Sequence, residues 1–236
     1  MDQLEHIHSS SVARLRERVS SVACEVERAL SAPLVLPRDL GTHRRWITTG
    51  VGASEGPARF LAAILRGDGV LADFAPISAF AEAAPPADAC VVFSQGLSPN
   101  ARIPLARASS YARTLLVSAA DVRDAAGALV VPHGPAVEDG LLLRVVGPAA
   151  ATAIALRLAS AIAHKTNGHA YPAPDLGGAL ASARARALAS LGELDPASLF
   201  EVAGIVASGS EAALFEGLRH KLLEGLGCAH PPIWDL

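Results

Sequence analysis

Apolar residues recur at helical spacing through residues 4–30: Val12, Leu15, Val19, Val22, Val26 and Leu30, with Arg and Glu between them. This is the pattern of an amphipathic helix, for which Ser9, Ser10 and Ser11 are candidate N-caps. Pro33 and Pro37 close it. From Arg44 the pattern changes to short β-rich or apolar runs that alternate with helical stretches. Strands are expected over 46–49, 70–74, 89–93, 114–117 and 128–131, and helices over 57–65, 99–109 and 147–164. The run Ala89-Cys90-Val91-Val92-Phe93 has no polar position, as expected of a strand covered on both faces. Such alternation predicts an α/β fold, a parallel sheet with helices on both faces.

The C-terminal third is patterned differently. Residues 166–178 are rich in Gly, Pro and Asn and are expected to be a linker, followed by a helix over 180–191. A strand over 200–207, the turn Ser208-Gly209-Ser210 and an amphipathic helix over 211–226 then look like the start of a second α/β unit. One strand and one helix cannot bury a sheet alone, so this unit must pack on the first domain or on another chain. The expected organisation is an N-terminal helix and linker (1–43), a main domain (44–165), a linker with a helix (166–199) and a partial second unit (200–236).

Composition narrows the picture. The 236 residues are 51% hydrophobic and 18% charged, enough for one sizeable core. The net charge of −3 and the lack of a basic stripe argue against nucleic-acid binding. Mean hydropathy is +0.34, but the longest apolar stretch, residues 147–163, carries Arg157 in its middle. It is short for a membrane span and is expected to be a buried helix, so no membrane partner is implied. The first residues lack the basic and apolar regions of a signal peptide. Cys24, Cys90 and Cys228 are odd in number and widely spaced. Neither a disulfide framework nor a zinc site is expected, and the reading is a cytoplasmic protein.

Two loops carry candidate chemistry. Gly50-Val51-Gly52-Ala53-Ser54 follows a strand and opens a helix, an arrangement that brings backbone N–H groups and a hydroxyl close to an anion. It is not the dinucleotide fingerprint, since Glu55 stands where the third glycine belongs, nor a P-loop, since no Gly-Lys-Ser/Thr follows. Glu55 beside an anion must point away or meet a substrate hydroxyl. Ser94-Gln95-Gly96-Leu97-Ser98 repeats the arrangement after the next buried strand, with Pro99 opening the helix. Each loop alone is equally well read as a capped turn; the pair is more specific than either.

Together these residues resemble the sugar isomerase (SIS) domain: Thr49 to Ser54 followed by Ala58, Ser94-Gln95 about forty residues on, and His133-Gly134-Pro135 at the next strand end. The resemblance covers residues 44 to about 164. It implies a flavodoxin-like five-stranded parallel sheet, no cofactor, and a phosphosugar or aminosugar phosphate as ligand. Gly52, Ala53, Ser54, Ser94, Gln95, Gly96 and Ser98 are the implied phosphate-binding residues. The chain departs from the family in its second loop, one residue short, with Gly96-Leu97 where Ser-Gly-Glu is usual. Ala53 replaces a frequent Thr, Gly147-Pro148 a frequent Ser-Thr, and residues 140–146 look inserted.

The stretch Glu216-Gly217-Leu218-Arg219-His220-Lys221-Leu222-Leu223-Glu224 resembles the start of the second SIS domain of glucosamine-6-phosphate synthase-type isomerases. There a Lys-x-x-Glu pair lies in the isomerase site. Carried over, Glu224 is the base that moves a proton between C1 and C2, and Lys221 its electrostatic partner. A Lys/Glu pair three apart on a helix is equally read as a solvated ion pair. Glu216, His220 and Glu224 share a helix face, but a further ligand is lacking and no metal is expected. His169 and His230 are expected on the surface or at a neighbour's site. The reading is a sugar-phosphate isomerase or deaminase, active as a homodimer, with a non-catalytic phosphosugar sensor or assembly module as the alternative. No glutaminase domain is expected ahead of it, and site residues beyond the partial second unit are expected to be missing.

Overall fold

In the computed structural model the described residues are 2–119, 122, 125–134, 138 and 143–168. In the C-terminal part they are 178, 179, 182, 183, 185, 186, 189, 205–207, 209, 212–217, 221 and 233–235. The side chains of 2–12, 167, 205, 206 and 233–235 stand outside the description.

Five parallel strands form the centre: β1 (Arg45–Gly50), β2 (Leu71–Phe74), β3 (Ala89–Phe93), β4 (Arg113–Ser118) and β5 (Leu129–Pro132), in the order β2-β1-β3-β4-β5. This is the expected α/β sheet. Register runs from Trp46 beside Ala89 and Ala72 to Gly50 beside Phe93. Every residue of β3 is buried, which is why its sequence never alternates. Trp46, Ala89, Val91, Phe93, Leu115 and Val117 face one side, against helices α1 (Asp2–Ser31), α2 (Glu55–Gly67) and α4 (Val146–Asn167). Ile47, Cys90, Val92 and Leu116 face the other, against α3 (Pro99–Leu105), Phe80 and Tyr111. Cys90 is fully buried and burial pushes its thiol pKa up, so it serves as a small core residue.

Three element boundaries differ from expectation for local reasons. Residues 9–11 lie inside α1, which begins at Asp2, so they do not start the helix. α3 stops at Leu105 because Pro104 gives up an N–H within it; a short 3₁₀ turn at 108–110 takes up the rest of the expected helix. α4 begins at Val146, one residue before the expected start at 147, and runs to Asn167.

α4 is long and apolar enough to cross a membrane by length and composition, but 61% of its most apolar window is buried in this fold. It packs between α1 and α2, and Leu158, Ala159 and Ile162 have no exposed surface. Burial of a side chain such as Leu158 contributes about 1.5–3 kcal/mol. Arg157 is accommodated by donating to the Ala29 carbonyl at 2.7 Å.

A second, two-stranded parallel sheet joins β6 (Ile205–Ala207) to β7 (Ile233–Asp235), with Ile205 beside Ile233 and Ala207 beside Asp235. Residues 212–217 and 221, between them in the chain, are helical. The sequence pattern missed β7, whose three residues follow two prolines at the end of the chain. The helix meets α2: a Cβ at Gly56 would sit 3.4 Å from the Gly217 backbone. Among the described residues, the helical stretch 212–217 thus packs on α2.

Candidate functional site at the carboxyl edge of the sheet

β1 and β3 are neighbours, yet the chain leaves β1 toward β2 on one side and β3 toward β4 on the other. The strand order reverses between them, and open α/β sheets bind ligands in the crevice at such a switch point. Both candidate loops open there.

In the first loop, a Cβ on Gly50 would lie 2.4 Å from the Ser54 carbonyl oxygen, so only glycine fits. Gly52 takes a left-handed φ of 58°, and residues Gly52–Ser54 form a 3₁₀ turn into α2. The Ser54 side chain does not cap α2, whose first turn keeps its positive end turned toward the loop. Glu55 points away from the loop to Arg59, 2.7 Å from its Nε, which resolves the conflict of a carboxylate beside an anion site.

In the second loop, Ser94 Oγ accepts the Ser98 N–H at 3.3 Å and Ser98 Oγ accepts the Ala101 N–H at 3.4 Å, capping α3. The capped-turn reading therefore holds for both serines. A hydroxyl fixed as acceptor still has its O–H to donate, so the cap does not remove the donor a phosphate needs. Leu97 is held at φ 51°, a left-handed conformation costly for a residue with a side chain. The strain falls where the loop is one residue short.

The polar side chains beyond the loops were not among the expected site residues. Glu138 is 1% exposed, and its carboxylate accepts the N–H groups of Val145, Val146 and Gly147 at 2.5, 2.9 and 2.9 Å. The positive end of α4 is thereby taken by the chain's own anion. The available signal was an apolar helix start with no Ser, Thr, Asp or Asn to cap it, which requires an acceptor from elsewhere. Gln95 lies against this turn: a Cβ on Gly147 would be 1.8 Å from Gln95 Nε2. Among the described residues that Nε2 is buried without a partner, as are Thr49 Oγ1 at the end of β1 and His133 Nδ1 after β5. Burial pushes the His133 imidazole down from its ordinary 6.5 to about 4.

Lys221 is brought to the same edge, where its amine donates to the Arg144 carbonyl in the segment before α4. Glu224, His220, His169 and His230 lie outside the described residues. Glu216 is directed elsewhere, into a cavity of about 350 Å³ lined by Arg59, Arg66, Asp73 and Phe74. Among the described residues no group of three or more His, Cys, Asp or Glu is placed to hold a metal.

The sheet order and the polar loops at its switch point define an α/β protein with the sugar isomerase fold. No protein-family model and no curated protein matches the chain. Among solved structures it is similar to the C-terminal domain of glucosamine-fructose-6-phosphate aminotransferase from Francisella tularensis, at TM-score 0.70 and 14% identity over 92% of this chain and 69% of that one. Glucosamine-6-phosphate deaminase from Thermotoga maritima matches at TM-score 0.67 and 13% identity, over 93% of this chain and 69% of that one. Tagatose-6-phosphate ketose/aldose isomerase from Escherichia coli matches at 0.62 and 15%, over 93% and 65%. At such identities the likeness is one of fold.

Proposed function

We propose that the chain binds a phosphorylated sugar or aminosugar in the crevice between the loops after β1 and β3. The phosphate sits against the first turn of α2, with donors from Gly52, Ala53, Ser54, Ser94, Gln95, Gly96 and Ser98. One observation carries this reading: Thr49, Gln95 and His133 each bury an unpartnered polar atom, and all three stand on the edge where the strands end. Buried polar groups are nearly always paired in folded proteins, so such a cluster marks a place completed from outside. The position of the first turn of α2 supports the placement of the anion, because α4 is already closed by Glu138 and α3 by Ser98. The similar structures are named for enzymes of hexosamine and ketohexose phosphates, which agrees in chemical class.

The position of Lys221 favours a second step beyond binding. Its amine reaches the segment that leads into α4. In this reading Glu224, three residues further along the sequence, takes the proton from C2 of an open-chain aldose phosphate and returns it to C1, interconverting aldose and ketose. The protein works as a cytoplasmic homodimer, with the residues from 200 onward as a partial second unit.

Thermal shift against hexose and hexosamine 6-phosphates tests both steps, since a ligand that binds only the native state raises its stability. The expected result is a shift with at least one of them that Ser94→Ala abolishes. Glu224→Gln is expected to keep the shift and lose turnover. No shift with any phosphosugar overturns the reading; binding without turnover by the parent protein leaves a sensor or assembly module.

A further inference from the structure

Ser118, the last residue of β4, stands between the loops that follow β3 and β5. Its hydroxyl donates to the Gln95 carbonyl at 3.3 Å, and its own carbonyl accepts the His133 N–H at 3.1 Å. Gln95, Ser118 and His133 therefore form one row along the carboxyl edge. Neighbouring strands lie about 4.8 Å apart, so the row spans roughly 10 Å from β3 to β5. That is about the distance from the phosphate to the far oxygen of an extended hexose 6-phosphate and beyond that of a three-carbon one. A phosphate held between α2 and the loop after β3 marks one end of the span. At the other end, His133 is only 3% exposed and its Nδ1 has no partner.

We infer that His133 is a ligand-contacting residue that reads a sugar oxygen remote from the phosphate and so selects six-carbon over three-carbon sugar phosphates. The inference rests on the phosphosugar reading of the site. A neutral imidazole offers one donor and one acceptor, and a sugar hydroxyl can match either. Burial keeps the ring neutral above about pH 4, although the Glu138 carboxylate nearby acts the other way. A site shut off from water rejects a ligand that lacks the matching oxygen, because the ring is then left unpaired. Six-carbon ligands are selected over three-carbon ones by this contact, while the phosphate loops hold both alike.

Calorimetry with inorganic phosphate, glycerol 3-phosphate, fructose 6-phosphate and glucosamine 6-phosphate tests the assignment. The parent protein is expected to hold at least one hexose phosphate about tenfold or more tighter than glycerol 3-phosphate. His133→Leu should reduce that ratio to within about twofold and leave inorganic phosphate unaffected, and His133→Asn, which keeps a polar atom near the Nδ1 position, should restore part of it. The ¹⁵N resonance of His133 Nδ1 should move on addition of the hexose phosphate and not of inorganic phosphate. Unchanged selectivity in His133→Leu, equal loss of all four probes, or an unmoved Nδ1 resonance overturns the role of His133. A parent protein that binds no phosphosugar overturns the site reading itself. If His133→Leu fails to fold, the Nδ1 resonance of the parent decides alone.

Discussion

At the amino end of the sheet, Asp39 holds the Arg113 guanidinium at 2.7 Å, and Asp88 accepts the backbone N–H groups of Arg44 and Arg45 at 2.8 and 2.9 Å. At the carboxyl end, Thr49, Gln95 and His133 bury polar atoms that no group among the described residues meets. The amino end has unpaired atoms too, on Asp39, His43 and Arg113. Those belong to groups that already have a charged neighbour, since His43 Nε2 lies 3.8 Å from Asp39 and Arg113 is bonded to the same carboxylate. One end ties strands β1, β3 and β4 together with charges; the other leaves hydrogen-bonding capacity unspent. An unsatisfied buried group costs about 1–3 kcal/mol; at the amino edge the ion pairs of Asp39 offset part of that cost. Such a cost is tolerated where a ligand repays it.

The largest expected difference between the ends is in their response to acid. Unfolded, His133 takes a proton near pH 6.5; folded, it does so only near about pH 4. The folded state therefore binds fewer protons between those values, and stability falls as pH falls. The stability in question is full above about pH 6.5 and declines by about 2 kcal/mol down to pH 5 and about 3 kcal/mol by pH 4. Asp39 and Asp88 shift the same way from an ordinary value of 3.8, Asp39 through the Arg113 hydrogen bond and Asp88 through the N–H groups of Arg45 and Arg44. Their stabilisation is kept above that value and lost only below it. The carboxyl end should loosen first. Urea denaturation at pH 7 and pH 5 measures this, and His133→Phe is expected to remove most of the difference. A slope equal in parent and variant would place the acid sensitivity elsewhere.

A smaller effect separates two glycines of the same edge. Gly50→Ala drives a Cβ into the Ser54 backbone at 2.4 Å, where nothing can swing aside. The first loop must shift, at a cost of about 2 kcal/mol, and phosphosugar binding should go with it. At Gly147→Ala the clash is with the amide end of Gln95, which can rotate, and alanine is the better helix former. Stability should change by less than about 0.5 kcal/mol while hexose phosphate binding weakens. Urea denaturation paired with thermal shift in fructose 6-phosphate checks both. Equal losses of stability in the two variants would show that Gln95 is fixed by more than the slot at Gly147.

The contrast between the ends explains what the sequence could disclose. The strands were legible because their residues are apolar on both faces: β3 was expected over the residues it occupies, Ala89–Phe93, and the loops at Gly50 and Ser94 follow from where strands stop. Failures came where a residue's partner is distant in the chain. Glu138 caps a helix that begins at Val146, and no local pattern links a carboxylate to an amide nine residues on at Gly147. Gly147 read as a helix start, but its use as a slot for Gln95 depends on two elements 52 positions apart meeting at one edge. His133 was visible as part of a strand-end loop, and only its burial beside Ser118 gives it significance. The three serines before Val12 looked like caps because local propensity favours that role; the helix runs through them to Asp2.

The smallest effect is expected at the amino end and isolates it from the site. The Arg113 and Asp39 side chains are 36% and 40% exposed, so solvent screens their attraction despite the short contact. Exposed pairs contribute at most about 1 kcal/mol. Arg113→Leu should therefore lower stability by less than about 1 kcal/mol, since the leucine recovers some of the packing of the Arg stem. Its effect on hexose phosphate affinity should be nil, because the carboxyl-edge loops stand at the opposite end of β4. Salt sharpens the point: raising ionic strength should erase the difference between parent and Arg113→Leu, as screening removes what the pair supplies. Urea denaturation in low and high salt, with calorimetry in fructose 6-phosphate, measures both. If Arg113→Leu weakened the ligand as much as Gly50→Ala, the two ends would be one coupled system, and the division of labour between them would fall.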